Sequence, residues 1–410
     1  MERRNIYIVA DQAVVSGGNF LAAVLLARFL TLFEFGIFGI CLVVVLFFVS
    51  VQVSLLITPL YTFLPKIDDE EECGDYISDV VFLVVVVSFV FSLVSCVILY
   101  LLPFISEQMK TTDYAILASV YIFFRLQQEC IRRIFFAHQS IEQTLKADVL
   151  VFSLQLMLII LIWFHGLLTL NIAFVILGFS YALGTIYGIA LLDPSFPNCG
   201  CVCLVMRKHW NFAKWLVGGA VLSAVVRDYV ILSVGLVLSP MEVGKMRAAE
   251  RLGGLVGVVL QLLENVIPVR ASRAYNNYGK LALYAFLKKT YFQLTLLALG
   301  IIIFFSLFSE TIMSFVFGEQ FSGIGIVLIG YVVTNIINVF RAPLNVLLRT
   351  FEKTSPIFWG ILLGAVLNVG LAHFLVERYG LIGAVLTLVA SSSAIFLWLL
   401  FWSIKVYRER

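Results

Sequence analysis

Arg247, Glu250 and Arg251 stand at i, i+3 and i+4 in this 410-residue chain, so a helix places all three on one face. From Leu252 to Leu263 the sequence is apolar apart from glycines and Gln261. A charge at mid-bilayer costs about 2.5–3.5 kcal/mol, so three facing lipid would cost roughly 8–10. Such a face is tolerated only toward protein or water, which predicts one wall of a charged cavity. The chemistry on offer is anion capture. A guanidinium grips phosphate oxygens two at a time and keeps its charge when partly buried.

Other charges sit in apolar segments. Arg125, Glu129 and Arg133 follow one another at i, i+4, which reads either as a self-neutralising ladder or as an arginine held toward the cavity by Glu129. Arg132 and Arg133 lie at a cytoplasmic helix end, where membrane orientation accounts for them. Arg227 and Asp228 are adjacent and point about 100° apart on a helix, so both cannot face lipid cheaply. Arg341 lies near Asn335 and Asn338; an interhelix hydrogen bond is the alternative to a binding role. Arg125, Arg227, Arg247, Arg251, Arg341 and Asn19 are the candidate substrate-binding residues. Asp228, Glu250, Glu129 and Asp11 are candidates for proton or ion coupling, although an arginine beside Asp228 and Glu250 favours their ionised form. Glu264 falls roughly on the face of Glu250, and Gln127, Gln128, Asn335 and Asn338 offer amides to sugar hydroxyls.

No catalytic constellation is present: the four histidines lie at span ends or in loops, and no G-x-x-x-x-G-K-[ST] phosphate loop occurs. No cofactor, metal or nucleic acid is expected. Cys199, Cys201 and Cys203 alternate in a mid-chain loop with His209 nearby, but this is not the C-x₂₋₄-C spacing of a zinc site, and reduced cytoplasmic thiols are expected.

The elements that must position these residues are membrane helices. The chain is 61% hydrophobic and 13% charged, with a mean hydropathy of +1.03. A soluble domain is about 45–50% apolar and about 25% charged. The expected architecture is an all-α polytopic membrane protein of about twelve transmembrane helices, in two six-helix bundles around a central cavity. The spans fall near 6–30, 37–63, 80–102, 115–137, 147–165, 169–191, 211–236, 243–267, 287–308, 323–347, 356–376 and 380–404. Residues 1–192 form the N-terminal bundle, 193–210 a cytoplasmic linker and 211–410 the C-terminal bundle. With the amino terminus inside and uncleaved, cytoplasmic segments hold about 19 Lys/Arg and external turns about four, which predicts both termini in the cytoplasm.

The halves repeat. Phe33-Glu34-Phe35-Gly36 follows the first span and Met241-Glu242-Val243-Gly244 the seventh. Pro59 and Pro268 end the next spans, Phe135 to Gln139 corresponds to Leu347 to Phe351, and Gly166 corresponds to Gly380. Aligned this way, Arg227 stands opposite Asn19. Six spans in each half give parallel repeats, an arrangement suited to alternating access.

Ala27-Arg28-Phe29-Leu30-Thr31-Leu32-Phe33-Glu34-Phe35-Gly36, the turn Ser239 to Arg251, and Gly364 to Leu371 followed by Tyr379 to Thr387 resemble, in order, three hairpins of the polysaccharide transporters. Those transporters, which include O-antigen flippases, belong to the multidrug/oligosaccharidyl-lipid/polysaccharide exporter superfamily. The resemblance extends over the whole chain. It implies a flippase for an undecaprenyl-pyrophosphate-linked oligosaccharide, an O-antigen or capsule repeat unit, in the bacterial inner membrane. The partners it implies are that lipid-linked sugar, inner-membrane lipids, and polysaccharide polymerase and chain-length proteins. Stopping at twelve spans favours the O-antigen type over lipid II flippases, which usually carry two more. Arg247 and Arg251 depart from the pattern, bracketing a position where relatives often have small or aromatic residues. A cation-coupled multidrug exporter would want an apolar cavity with one or two acids. A membrane-embedded glycosyltransferase or polymerase would want a large extramembrane domain. The arginine-rich spans and short loops favour the flippase.

Overall fold

The computed structural model describes residues 2–409 except 138–140, 196–198, 352 and 354, with side chains described outside 2–6, 199, 258–276, 278, 280, 350 and 407–409. Gln139, Cys199, Gln261, Glu264 and Pro268, named above, lie outside the described side chains.

Every described element is helical, as the composition requires. The first half runs α1 (Glu2–Phe29), α2 (Leu32–Gln52), α3 (Thr58–Phe63), α4 (Glu70–Ile105), α5 (Ala115–Ala137), α6 (Ile141–Phe164) and α7 (Leu170–Leu192). Then follow α8 (Cys199–Val237), α9 (Pro240–Phe317), α10 (Gly325–Thr350) and α11 (Ser355–Glu409). Eleven helices therefore stand where about twelve spans were expected. The expected second span is split into α2 and α3 by a π turn at Val53–Ile57. Conversely, α9 and α11 each run two expected spans together through a bent glycine, Gly279 at φ 73° and Gly380 at φ 59°. Only glycine adopts such φ values without strain.

Among the described residues, nine helical stretches are long and apolar enough to cross a bilayer. Helix α5, which carries Arg125–Arg133, is not among those nine; the side chains of α9 from 258 to 276 lie outside the described residues. The charged segments pack against other helices: α5 against α4 and α7, and α9 against α10.

The chain forms two compact units, Met1–Ala224 and Val225–Arg410. Their division falls inside α8. That helix already begins at Cys199, within the stretch 193–210 read as a linker, so the cysteines lie on a helix rather than in a loop. Unit 1 has a core around Leu56, Ile57, Leu60, Val80, Val84 and Ile134. Unit 2 has one around Leu283, Leu348, Phe351, Ile395 and Leu399. Phe104, Phe164, Leu307 and Phe315 point outward as lipid-facing residues do.

The repeated Glu-x-Gly turns have a physical basis in helix capping. Thr31 Oγ1 accepts from the Glu34 amide at 3.2 Å, and the Thr31 amide donates to Glu34 Oε2 at 3.2 Å, a reciprocal capping box. In the second half Ser239 Oγ accepts from the Glu242 amide at 3.4 Å. Glu34 does more: its Oε1 accepts the Leu170 amide at 3.1 Å and ties α2 to the start of α7. Glu34→Ala is expected to cost about 1–2 kcal/mol by removing the cap and orphaning the Leu170 amide. The thermal midpoint of the purified protein measures this, and Glu34→Gln should recover part of the loss. The corresponding glycines Gly166 and Gly380 also match, both left-handed at φ 69° and 59°.

Candidate functional site

Each unit gathers its intramembrane charges into compact clusters. In unit 2 the cluster joins α8 to the start of α9. Arg227 Nη2 lies 2.8 Å from Asp228 Oδ2, a contact between neighbours in sequence. Arg247 lies between two acids, with Nη1 2.5 Å from Glu250 Oε2 and Nη2 3.7 Å from Asp228 Oδ1. The four side chains differ sharply in access: Arg247 and Asp228 are each 4% exposed, Glu250 27% and Arg227 42%. Two guanidiniums against two carboxylates make this cluster neutral, which lets it be buried at tolerable cost. Arg251 and Arg341 are half-buried in the same unit.

Neighbouring helices fix this cluster. Asn368 of α11, fully buried, donates to the Val226 carbonyl at 2.7 Å, one residue before Arg227. Asn335 of α10 donates to the Gly253 carbonyl of α9 at 3.1 Å and to Tyr331 O at 3.0 Å. The Asn335 amide thus links α10 to α9.

In unit 1, α5 presents two faces. Glu129 takes Arg125 at 3.2 Å and Arg133 at 2.7 Å, so the self-neutralising ladder is formed, with one positive charge in excess. Arg125 also lies over the Tyr181 ring at 4.9 Å, a cation–π contact with α7. On the other face Arg132 clamps two acids. Its Nη2 is 2.5 Å from Asp11 of α1, and its Nε is 2.5 Å from Asp148 of α6. Asp11 and Asp148 are nearly fully buried. Gln128 Nε2 reaches Asp148 Oδ1 at 3.5 Å. Asn19 donates to the Val15 carbonyl of its own helix at 2.8 Å and remains half-buried.

The sequence reading thus singled out Asp11, Arg125 and Glu129 in unit 1 and missed Arg132 and Asp148. Arg132 carried only an orientation signal, and Asp148 follows Lys146 at the edge of a span. An acid just inside an apolar segment was the available sign. His209, placed in a loop by the sequence, is fully buried and shares a 2.7 Å hydrogen bond with the Tyr76 hydroxyl. Among the described residues no group of three or more His, Cys, Asp or Glu is arranged to hold a metal.

The comparisons with known proteins bear on this arrangement. A family model described as a polysaccharide biosynthesis protein matches residues 25–326. No curated protein matches the sequence significantly. Among solved structures, the lipid II flippase MurJ in an inward closed conformation is similar at 17% identity and a TM-score of 0.71, covering 98% of this chain and 89% of its own. An inward-facing multidrug resistance MATE family transporter is similar at 15% identity and a TM-score of 0.63, covering 99% and 96%. A MOP superfamily transporter from Pyrococcus furiosus is similar at 14% identity and a TM-score of 0.58, covering 98% and 95%. These likenesses show a shared fold, and the family model covers well over half of the residues. The chain therefore belongs to the polysaccharide biosynthesis protein family, as a multi-pass membrane protein with the fold of the multidrug/oligosaccharidyl-lipid/polysaccharide exporter superfamily.

Proposed function

We propose that this protein is a flippase that moves an undecaprenyl-pyrophosphate-linked oligosaccharide across the bacterial inner membrane, and that it performs no covalent chemistry. The family supports a place in polysaccharide assembly. The similarity to a lipid II flippase supports a lipid-linked cargo. The observation that carries the reading is the accessible end of the unit 2 cluster. Arg227 is the exposed member of a group whose other guanidinium, Arg247, is already held by Glu250 and Asp228.

A diphosphate competes with Asp228 for Arg227 because it offers more acceptor oxygens and more charge than one carboxylate. Arg247 then acts from behind, keeping Asp228 and Glu250 in place while Arg227 changes partner. Half-buried Arg251 and Arg341 supply further cationic surface, and Arg125 does so in unit 1. The polyprenyl tail stays in the bilayer while the polar head passes. Both termini lie in the cytoplasm under this reading, with the polymerase and chain-length proteins taking the product on the outer side.

A strain lacking the gene and complemented with variants tests this. Combined Arg227→Gln, Arg251→Gln and Arg341→Gln is expected to lower surface polysaccharide more than tenfold at matched membrane expression, since each lost charged hydrogen bond is worth about 1.5–3 kcal/mol. Normal display in the combined variant would remove the phosphate-binding assignment. Normal display in the deletion strain, with altered export of cationic dyes, would favour a cation-coupled multidrug exporter.

A further inference from the structure

Two lysines converge on one aromatic ring in unit 1. Lys66 Nζ lies 5.9 Å from the centre of the Phe63 ring and Lys208 Nζ 4.4 Å from it. Lys208 also stands 6.0 Å from the Tyr76 ring. Among the described residues neither lysine has a carboxylate partner. We propose that this place binds the phosphate headgroup of an anionic phospholipid, with Lys66 and Lys208 holding the phosphate and Trp215 marking where the acyl chains begin. The site lies wholly in unit 1, apart from the Arg227 cluster, and does not depend on the flippase reading.

The packing of α8 creates the convergence. Val202, His209 and Ala213 turn inward onto the core around Leu60, Leu64 and Val80. His209 is pinned there by Tyr76 and stacks near the Phe63 ring, with centroids 6.1 Å apart. Adjacent residues on a helix point about 100° apart, so the buried His209 sets the direction of Lys208. Lys66 comes from the other side, at the end of the 3₁₀ turn Leu64–Lys66 that follows α3. Both ammonium groups are exposed. A ring face attracts a cation, but the two lysines repel each other across it, and the ring's quadrupole does not neutralise two whole charges. Acids follow close behind in the sequence, yet Asp69 is turned to its own helix, accepting the Glu71 amide at 3.4 Å as the cap of α4. An external anion is the missing counter-charge.

The surroundings say which anion. Trp215 is 82% exposed and lies two turns beyond Lys208 on the same helix face, at the point where α8 turns apolar. Exposed tryptophans of this kind sit at headgroup level. Lys208 then stands about 10 Å further out, at 1.5 Å of rise per residue. The headgroup layer is about 5–8 Å deep, and the four-carbon lysine stem spans the difference. Arg207 and Lys214 on the same exposed side add to the positive surface. A free phosphate would use the lysines and leave the apolar flank idle. A phospholipid uses both.

The test is native mass spectrometry of the full-length protein in detergent, titrated with dioleoylphosphatidylglycerol or with dioleoylphosphatidylcholine, which has the same chains and no net charge. The wild type is expected to bind phosphatidylglycerol more tightly, with a preference that falls as salt is added. Combined Lys66→Gln and Lys208→Gln should weaken phosphatidylglycerol about 25-fold, about fivefold for each basic residue at the surface, and leave phosphatidylcholine unchanged. Lys110→Gln, which removes another exposed lysine of unit 1, should bind as the wild type does. No preference for phosphatidylglycerol in the wild type would overturn the proposal without any variant. An equal loss in Lys110→Gln would show general charge attraction and overturn the site. Displacement of the lipid by inorganic phosphate at equal concentration would make the chains irrelevant and overturn the lipid. Tighter binding of a polyglutamate peptide than of phosphatidylglycerol, lost in the double variant, would assign the site to an acidic protein segment instead. None of these readouts involves transport, so their failure leaves the flippase reading to the surface polysaccharide measurement.

Discussion

Replacing Arg132 by alanine is expected to destabilise the protein by about 3–5 kcal/mol, the range for removing one partner of a buried charged group. The residue looks unremarkable in the sequence, at the end of a helix beside a second arginine. In the structure it is the only described contact that draws α1, α5 and α6 onto one side chain, through Asp11 and Asp148. Its loss leaves two buried carboxylates facing each other, and they cannot both stay ionised without a cation. Thermal unfolding of the detergent-purified protein, followed by fluorescence-detected size exclusion, measures the effect. Adding Asp148→Asn to Arg132→Ala should recover part of the loss, because one of the stranded charges is removed. An Arg132→Ala protein as stable as the wild type would show that the clamp contributes nothing to the packing of these three helices. Arg132→Lys separates charge from shape. A lysine restores the charge but cannot serve Asp11 and Asp148 through two fixed nitrogens at once, so only partial rescue is expected.

The second large effect is expected at Arg247, and it contrasts with Arg227 beside it. Arg247 is 4% exposed and stands between Glu250 and Asp228, so Arg247→Ala breaks a buried network and should again cost about 3–5 kcal/mol. Arg227 is 42% exposed, and its contact with Asp228 is screened on one side. Its replacement by glutamine should change stability by less than about 1 kcal/mol, the range for an exposed pair. The two variants therefore divide the roles of the cluster. Arg247→Ala should lower both membrane-inserted protein and surface polysaccharide, whereas Arg227→Gln should leave the protein level intact and lower polysaccharide alone. Equal polysaccharide per molecule of protein in Arg227→Gln and wild type would deny Arg227 a part in transport. Restoring Arg247→Ala with the second change Asp228→Asn should recover stability, since the neutral amide no longer needs a buried cation.

The expectation that Arg247 faces an open cavity as a phosphate grip takes a different form in the structure. The same helix face carries Arg247, Glu250 and Arg251, as the spacing requires, but the partner that closes over Arg247 is Asp228 from the preceding helix. Electrostatics explains this outcome. A guanidinium in a low-dielectric region is stabilised by nearby carboxylates, here Glu250 at 2.5 Å and Asp228 at 3.7 Å. The accessible charge is displaced to the rim of the cluster, at Arg227.

The sequence by itself determined the class of protein, the approximate places of its helices, and the repeated capping turns at Thr31–Glu34 and Ser239–Glu242. Those features depend on neighbours a few residues apart, through hydropathy over a span and hydrogen bonds within one turn. It also placed Arg125 with Glu129, because an i, i+4 pair meets on any helix. The tertiary structure alone decided that Asp11 and Asp148, 137 positions apart by subtraction of their numbers, would share Arg132. It decided likewise that His209 would pair with Tyr76, and that Asn335 and Asn368 would make contacts between helices. Each of these rests on the rotation and depth of one helix against another, which packing sets and no local pattern encodes. A buried charge must find its counterion somewhere in three dimensions, and the order of residues along the chain does not say where.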